Sequence, residues 1–129
     1  MVHFKEKARY NYDDLLEIIR VLRSPEGCPW DQVQTHQSIR RGLLEEAYEA
    51  AEGIDRDDAD LLREELGDVL FAAVKAARFA GVDPEDALNA ACEKFIRRYG
   101  AVEQGARDRG VSVSDLTLEE MTGLWNAAK

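Results

Sequence analysis

Histidine, cysteine and proline are scarce in this chain: two histidines, two cysteines and three prolines in 129 residues. Cys28 and Cys92 lie far apart with no Cys-x-x-Cys spacing. That argues against a cysteine-based metal site or disulfide framework and fits a reduced, cytoplasmic setting. Neither His3 nor His36 stands three residues after a glutamate, so the Glu-x-x-His pattern of a di-iron helical bundle is missing. No Ser/His/Asp or Cys/His constellation and no glycine-rich phosphate loop can be found. A basic surplus is lacking too. Seventeen Lys and Arg face 26 Asp and Glu, a net charge of −9, which disfavours nucleic acid and membrane surfaces as partners. No apolar run approaches ~18 residues, so no membrane-spanning helix is expected. The opening "MVHFKEKARY" has no apolar stretch, so no signal peptide is expected. Strand signals, repeats and low-complexity tracts are almost absent.

What is present is helix. The length argues for one domain, able to bury roughly 65–70% of its unfolded surface, and prolines at only 25, 29 and 84 leave room for long helices. Five helical segments are expected. The first runs near Tyr12 to Arg23, with Leu15, Leu16, Ile19 and Leu22 at helical spacing, and stops at "SPEGCPWD". The second starts either at an Asp31/Gln34 capping box or later at Thr35, and ends at a Gly53 cap. The third spans about Asp58 to Ala80 and closes at Gly81. In the fourth, Asp83 is the cap, Pro84 the first position and Asp86 the third, and the helix continues to about Tyr99. The stretch "GAVEQGARDRGVSVSD" reads as linker. A short C-terminal helix follows behind a Thr117/Glu120 capping box. The expected organisation is an all-helical core over residues 1–100, with 101–129 a linker and helix of the same domain.

Two helices carry carboxylates where apolar residues belong. With about 100° per residue, Glu46 falls within about 20° of Ile39, inside the stripe of Leu43 and Ala50, and Glu49 borders it. On the third helix Asp68 falls within about 20° of Leu61 and Glu65 within about 40°, alongside Ala72 and Phe79. Each helix thus offers two acids three residues apart on a core-facing stripe. Four ionised carboxylates brought together repel, and burial costs each several kcal/mol without a partner. A hard divalent cation removes both difficulties, and oxygen-only donors favour Mg²⁺ or Mn²⁺ over zinc. An acidic chain can bind phosphates through such a cation. The plainer alternative, a solvated or salt-bridged acidic face, suits one Glu-x-x-Glu better than two on apolar stripes.

Other residues carry weaker signals. Glu45 fits an outer ligand, a base or a solvated residue equally. Lys94 and Arg98, four apart with Arg97 adjacent, can grip phosphate oxygens or simply complement a helix C-terminus. Trp125 reads first as an anchor that folds the tail back, and second as a stacking platform for a base. Trp30 is expected to plug its loop, Lys75, on the same stripe as Asp68, to salt-bridge the acidic cluster, and His36 to lie on the surface at a helix start.

Together, "GCPWDQVQTHQSIRRGLLEEAYEAAEGI" and "LREELGDVLF" closely resemble the MazG family of nucleoside triphosphate pyrophosphohydrolases. The family pattern Glu-Glu-x-x-Glu, spacer, Glu-x-x-Asp is met by Glu45, Glu46, Glu49, Glu65 and Asp68. "KFIRRYGAVE" and "LEEMTGLW" look like the family's later segments. The resemblance implies an all-α fold with a four-helix bundle core, assembling as a homodimer or a higher even oligomer such as a tetramer. It implies Mg²⁺-dependent cleavage of a nucleoside triphosphate between the α- and β-phosphates, with Glu46, Glu49, Glu65 and Asp68 as metal ligands and Glu45 or Glu49 orienting or deprotonating the attacking water. Lys94, Arg98 and Trp125 match residues that contact the nucleotide. The chain holds one such domain where some members carry two, and Arg63 stands near a position where some relatives have another basic residue. House-cleaning of the nucleotide pool is implied at the same level. The alternative from another class is a non-catalytic helical dimer that binds nucleotide or a partner.

Overall fold

The computed structural model describes residues 2–129. Among them are only helices, turns and coil: α1 (Tyr12–Leu22), α2 (Pro29–Gln32), α3 (His36–Asp55), α4 (Ala59–Phe79), α5 (Pro84–Asp108), a 3-10 turn (Val113–Asp115) and α6 (Leu118–Ala127). The all-helical expectation holds. No helix is long and apolar enough to cross a membrane, and both cysteines are free. The chain divides into two compact units, one running to Pro84 and the other Glu85–Lys129.

The first unit is organised around α3 and α4, which pack along their length, with α1 against α4. A connection as short as residues 56–58 makes α3 and α4 an antiparallel hairpin. Helix α3 starts at the later of its two candidate caps. The Thr35 hydroxyl accepts from Ser38 N at 3.2 Å and the Ser38 hydroxyl accepts from Thr35 N at 2.9 Å. Helix α4 is capped by Asp58, whose carboxylate accepts from Asp60 N and Leu61 N. At its other end Gly81, φ +72°, makes the left-handed exit that the sequence leads one to expect. In α1, Asn11 and Asp14 cap each other's backbone N–H. Ile19, Ala50 and Val74 are the buried apolar residues of α1, α3 and α4.

Gly53 is not the expected cap. It lies inside α3, which ends at Asp55, and it is buried where the hairpin closes. A Cβ there would stand 3.0 Å from Leu62 N and Cα, so the glycine admits the α4 backbone. The left-handed residue of the turn is Asp57 instead, φ 53°. Gly53→Val is expected to destabilise the protein by about 2 kcal/mol, because the clash is with backbone that cannot rotate away. A urea titration checks this through a lower midpoint at unchanged slope.

In the second unit, the expected linker is corrected. Helix α5 does not stop at Tyr99 but runs through Gly100 and Gly105 to Asp108, and the left-handed Gly110, φ +73°, follows its end. Tertiary packing outweighs two glycines' poor helix propensity. Val102 and Ala106 of this extension are buried with Leu116, and Val113, Met121, Leu124 and Trp125 pack on them. Gly105 is where α6 comes closest, since a Cβ there would lie 2.5 Å from Leu124 Cδ2. The Thr117/Glu120 capping box starts α6 as expected, and Trp125 anchors the tail as its first reading had it.

Candidate metal centre

The antiparallel register of the hairpin brings the acids together. Gly53 faces Leu62 at the turn, and at the far end the His36 ring stands edge-on to Phe79, centroids 5.0 Å apart. Each step back along α3 is matched by an equal step forward along α4. Glu49 therefore meets Glu65, and Glu46 meets Asp68. Because both pairs have a three-residue spacing, one register serves both. Glu46, Glu49 and Glu65 each present a carboxylate oxygen, and the three oxygens lie within 4.8 Å of one another.

Asp68 is not among those three, but it lines one cavity with Glu46, and its charge raises the Glu46 pKa. Glu45 lies outside the trio, exposed, and adds a smaller like-charge effect on Glu46. Glu65 is buried at 9% exposure, and its Oε2 has no hydrogen-bond partner. Glu46 is half-buried and Glu49 exposed. Burial pushes the Glu46 carboxyl above its ordinary value, helped by Asp68 and Glu49. Burial also pushes up Glu65, helped by Glu49, Glu64 and Asp68. A buried carboxylate oxygen without a donor, among like charges, suits a cation. Oxygen-only donors are the set that hard divalent cations prefer.

The adjoining cavity, about 170 Å³, is walled by Ile39, Leu43 and Phe71 on one hand and by Ser38, Gln34 and Lys75 on the other. The Lys75 ammonium does not pair with Asp68. It lies 2.6 Å from Asp31 Oδ1, and Asp31 is 7% exposed. Asp31, one of two candidate caps in the sequence, is thus the anchor that ties the loop and α2 onto α4. Nothing local in the sequence links this α2 aspartate to a lysine on a helix beyond it, so the pair is not legible there. Trp30 next door is 77% exposed and does not plug the loop. His36 is exposed at the first position of α3, as expected.

The remaining candidates belong to the second unit. Arg98 places its guanidinium 5.8 Å from the Trp125 ring centroid, and Phe95 packs on the same ring at 5.3 Å. Lys94 is exposed one turn earlier on α5.

Residues 34–102, which include all five acids, match the MazG nucleotide pyrophosphohydrolase domain. The Thermotoga maritima protein named nucleoside triphosphate pyrophosphohydrolase/pyrophosphatase MazG is 45% identical over 98 residues, covering 73% of this chain and 38% of that protein. The Escherichia coli K12 nucleoside triphosphate pyrophosphohydrolase is 45% identical over 92 residues, 67% of this chain and 35% of its own length. The Mycobacterium tuberculosis protein of the same name is 36% identical over 107 residues, 78% and 30%. The chain therefore spans well under half the length of these curated relatives. The crystal structure of a mazG-related protein from Thermotoga maritima superposes with a TM-score of 0.61 at 31% identity, covering 90% of this chain and 96% of that one. On sequence and on structure, the chain belongs to the MazG nucleotide pyrophosphohydrolase family.

Proposed function

We propose that the protein hydrolyses nucleoside triphosphates, ribo- or deoxyribonucleotides, between the α- and β-phosphates, releasing a nucleoside monophosphate and pyrophosphate. The observation that carries this reading is the convergence of Glu46, Glu49 and Glu65 across the α3–α4 hairpin, with a buried, unpartnered oxygen on Glu65. These three, with Asp68, would hold Mg²⁺, or Mn²⁺ in its place. When bound, the cation supplies neutralisation of the triphosphate and of the charge that grows on the leaving pyrophosphate.

The chain's own groups do the rest. Glu49, or Glu45 one turn before it, orients the attacking water and takes its proton. The water oxygen bonds to the α-phosphorus, and the bond from that phosphorus to the α–β bridging oxygen breaks. The electron pair leaves with pyrophosphate. Lys94 and Arg98 are proposed to hold the β- and γ-phosphates and Trp125 to lie against the nucleoside. The cation–π stacking of Arg98 on Trp125 supports a shared role for those two.

Assembly as a homodimer or a higher even oligomer around a four-helix core belongs to the same reading. It is supported by α5, on which every residue from 85 to 97 is exposed, Leu88, Phe95 and Ile96 included. Removal of unwanted nucleotides is the role proposed for the activity. The deciding experiment incubates the purified protein with mixed nucleoside triphosphates and Mg²⁺. Equimolar monophosphate and pyrophosphate are expected, with none when a chelator is present. Release of orthophosphate and a diphosphate would mean a different bond is cut. Binding without turnover would favour the non-catalytic alternative.

A further inference from the structure

We propose that the first unit carries a second, separate anion site: an arginine-lined pocket between α1 and the C-terminal end of α4 that takes a phosphate group. The pocket, about 550 Å³, gathers Arg20, Arg23 and Arg78 against the two acids Asp13 and Glu17. Arg20 is committed to Glu17, donating from Nε and Nη2 at 2.7 and 2.6 Å. Arg23 and Arg78 have no ion pair among the described residues. In a chain with 26 acids and 17 Lys and Arg, two arginines that line one pocket and pair with neither of its acids call for a physical reason.

Arg23 is built for a ligand. Its guanidinium stacks on Phe79, 5.3 Å from the ring centroid, and His36 backs that ring edge-on. Stacking fixes the plane of the fork but offers nothing to its in-plane N–H groups. Nη1 is buried and has no acceptor, which leaves this guanidinium short of hydrogen-bond partners within the chain. A tetrahedral oxyanion matches the spacing of such a fork.

Several carbonyls at the end of α1, which would repel an anion, already accept hydrogen bonds. Arg23 N donates to Ile19 O, Ser24 N and Oγ to Val21 O, and Cys28 N to Leu22 O. Gln32 Nε2 donates to Ser24 O and Pro25 O. Gly27 permits this tight turn, since a Cβ there would fall on the carbonyl oxygens of Leu22 and Val21.

Arg78 is ten residues, or ~15 Å along α4, from Asp68. The pocket is thus distinct from the carboxylate centre, and the proposal does not depend on the hydrolytic reading. The test is calorimetric titration of the intact chain with inorganic phosphate, pyrophosphate and a nucleoside monophosphate, in chelator so that the carboxylates recruit no anion through a metal. Saturable binding that weakens with salt is expected. Arg78→Gln, a change at an exposed position, should weaken it about tenfold, the worth of one charge-assisted hydrogen bond. Arg23→Gln should abolish it. Binding of the inorganic anions identifies free phosphate as the source, and binding of the monophosphate alone identifies a nucleotide's phosphate. No saturable heat from any of the three in the millimolar range, or equal affinity in Arg78→Gln, overturns the proposal. If Arg23→Gln does not fold, Arg78→Gln decides alone.

Discussion

Glu65→Gln is expected to cut turnover by about a hundredfold or more while making the metal-free protein more stable. The first half follows from position. Removing an outer-shell partner of a metal ligand already costs 10–100-fold, and a ligand should cost at least about as much. The second half follows from the raised carboxyls of Glu46 and Glu65. A carboxyl whose pKa is higher folded than unfolded keeps its proton longer in the folded chain. Its contribution therefore favours folding at low pH and is lost as pH rises through the ordinary carboxylate range toward the raised value. As pH rises through that range the metal-free protein takes on the repulsion of Glu65 with Glu49, Glu64 and Asp68, and glutamine at 65 relieves it. Thermal melts in chelator should show Glu65→Gln above wild type at pH 7, with the gap narrowing at pH 5. Added Mg²⁺ should raise the wild type by mass action and leave the variant nearly unmoved. A variant less stable than wild type in chelator would mean that Glu65 is a structural acid.

Lys75→Met is expected to produce the largest loss of stability of any single change discussed, about 3 kcal/mol or more, because it strands the Asp31 carboxylate in a buried position. Asp31→Asn should cost less, since an amide needs no counter-charge. The double variant Asp31→Asn/Lys75→Met should recover much of the Lys75→Met loss, a coupling that urea denaturation of all four proteins measures. The effect should reach the proposed metal centre as well. Lys75 walls the cavity that Glu46 and Asp68 share, so KM should rise in proteins that remain folded. Additive losses in the double variant would mean that the 2.6 Å contact contributes nothing to stability.

The hairpin was legible in the sequence because local rules and the long-range outcome agree there. The stripe through Ile39, Leu43 and Ala50, and its counterpart through Leu61, Ala72 and Phe79, marks both helices and the side on which their acids meet. Equal three-residue spacing of the two acid pairs is readable by itself, but the register that makes Glu49 meet Glu65 depends on where the turn falls. The turn was misplaced at Gly53, since a glycine near a helix end suits a left-handed cap as well as a close helix crossing, and only the position of Leu62 distinguishes the two.

The extension of α5 was missed for a related reason. Gly100 and Gly105 lower intrinsic helicity, and the packing of Val102 and Ala106 against α6 that offsets them joins residues distant in sequence. Trp30 was expected inside because tryptophan offers much area to bury, yet its loop is held by the neighbouring Asp31 instead. The pairing of Asp31 with Lys75 spans 44 positions, beyond the reach of any local rule.

The account rests on one site formed jointly by α3 and α4. Calorimetric titration of the metal-free protein with Mn²⁺, run at pH 7 and pH 5 on wild type, Glu46→Gln and Glu65→Gln, tests it most directly. Saturable binding by wild type at pH 7, weaker at pH 5 because burial and like charge raise the Glu46 and Glu65 carboxyls and let protons compete with the cation, and strongly reduced in both variants, is the predicted result. Undiminished binding in either variant, or no saturable binding by wild type, would contradict it.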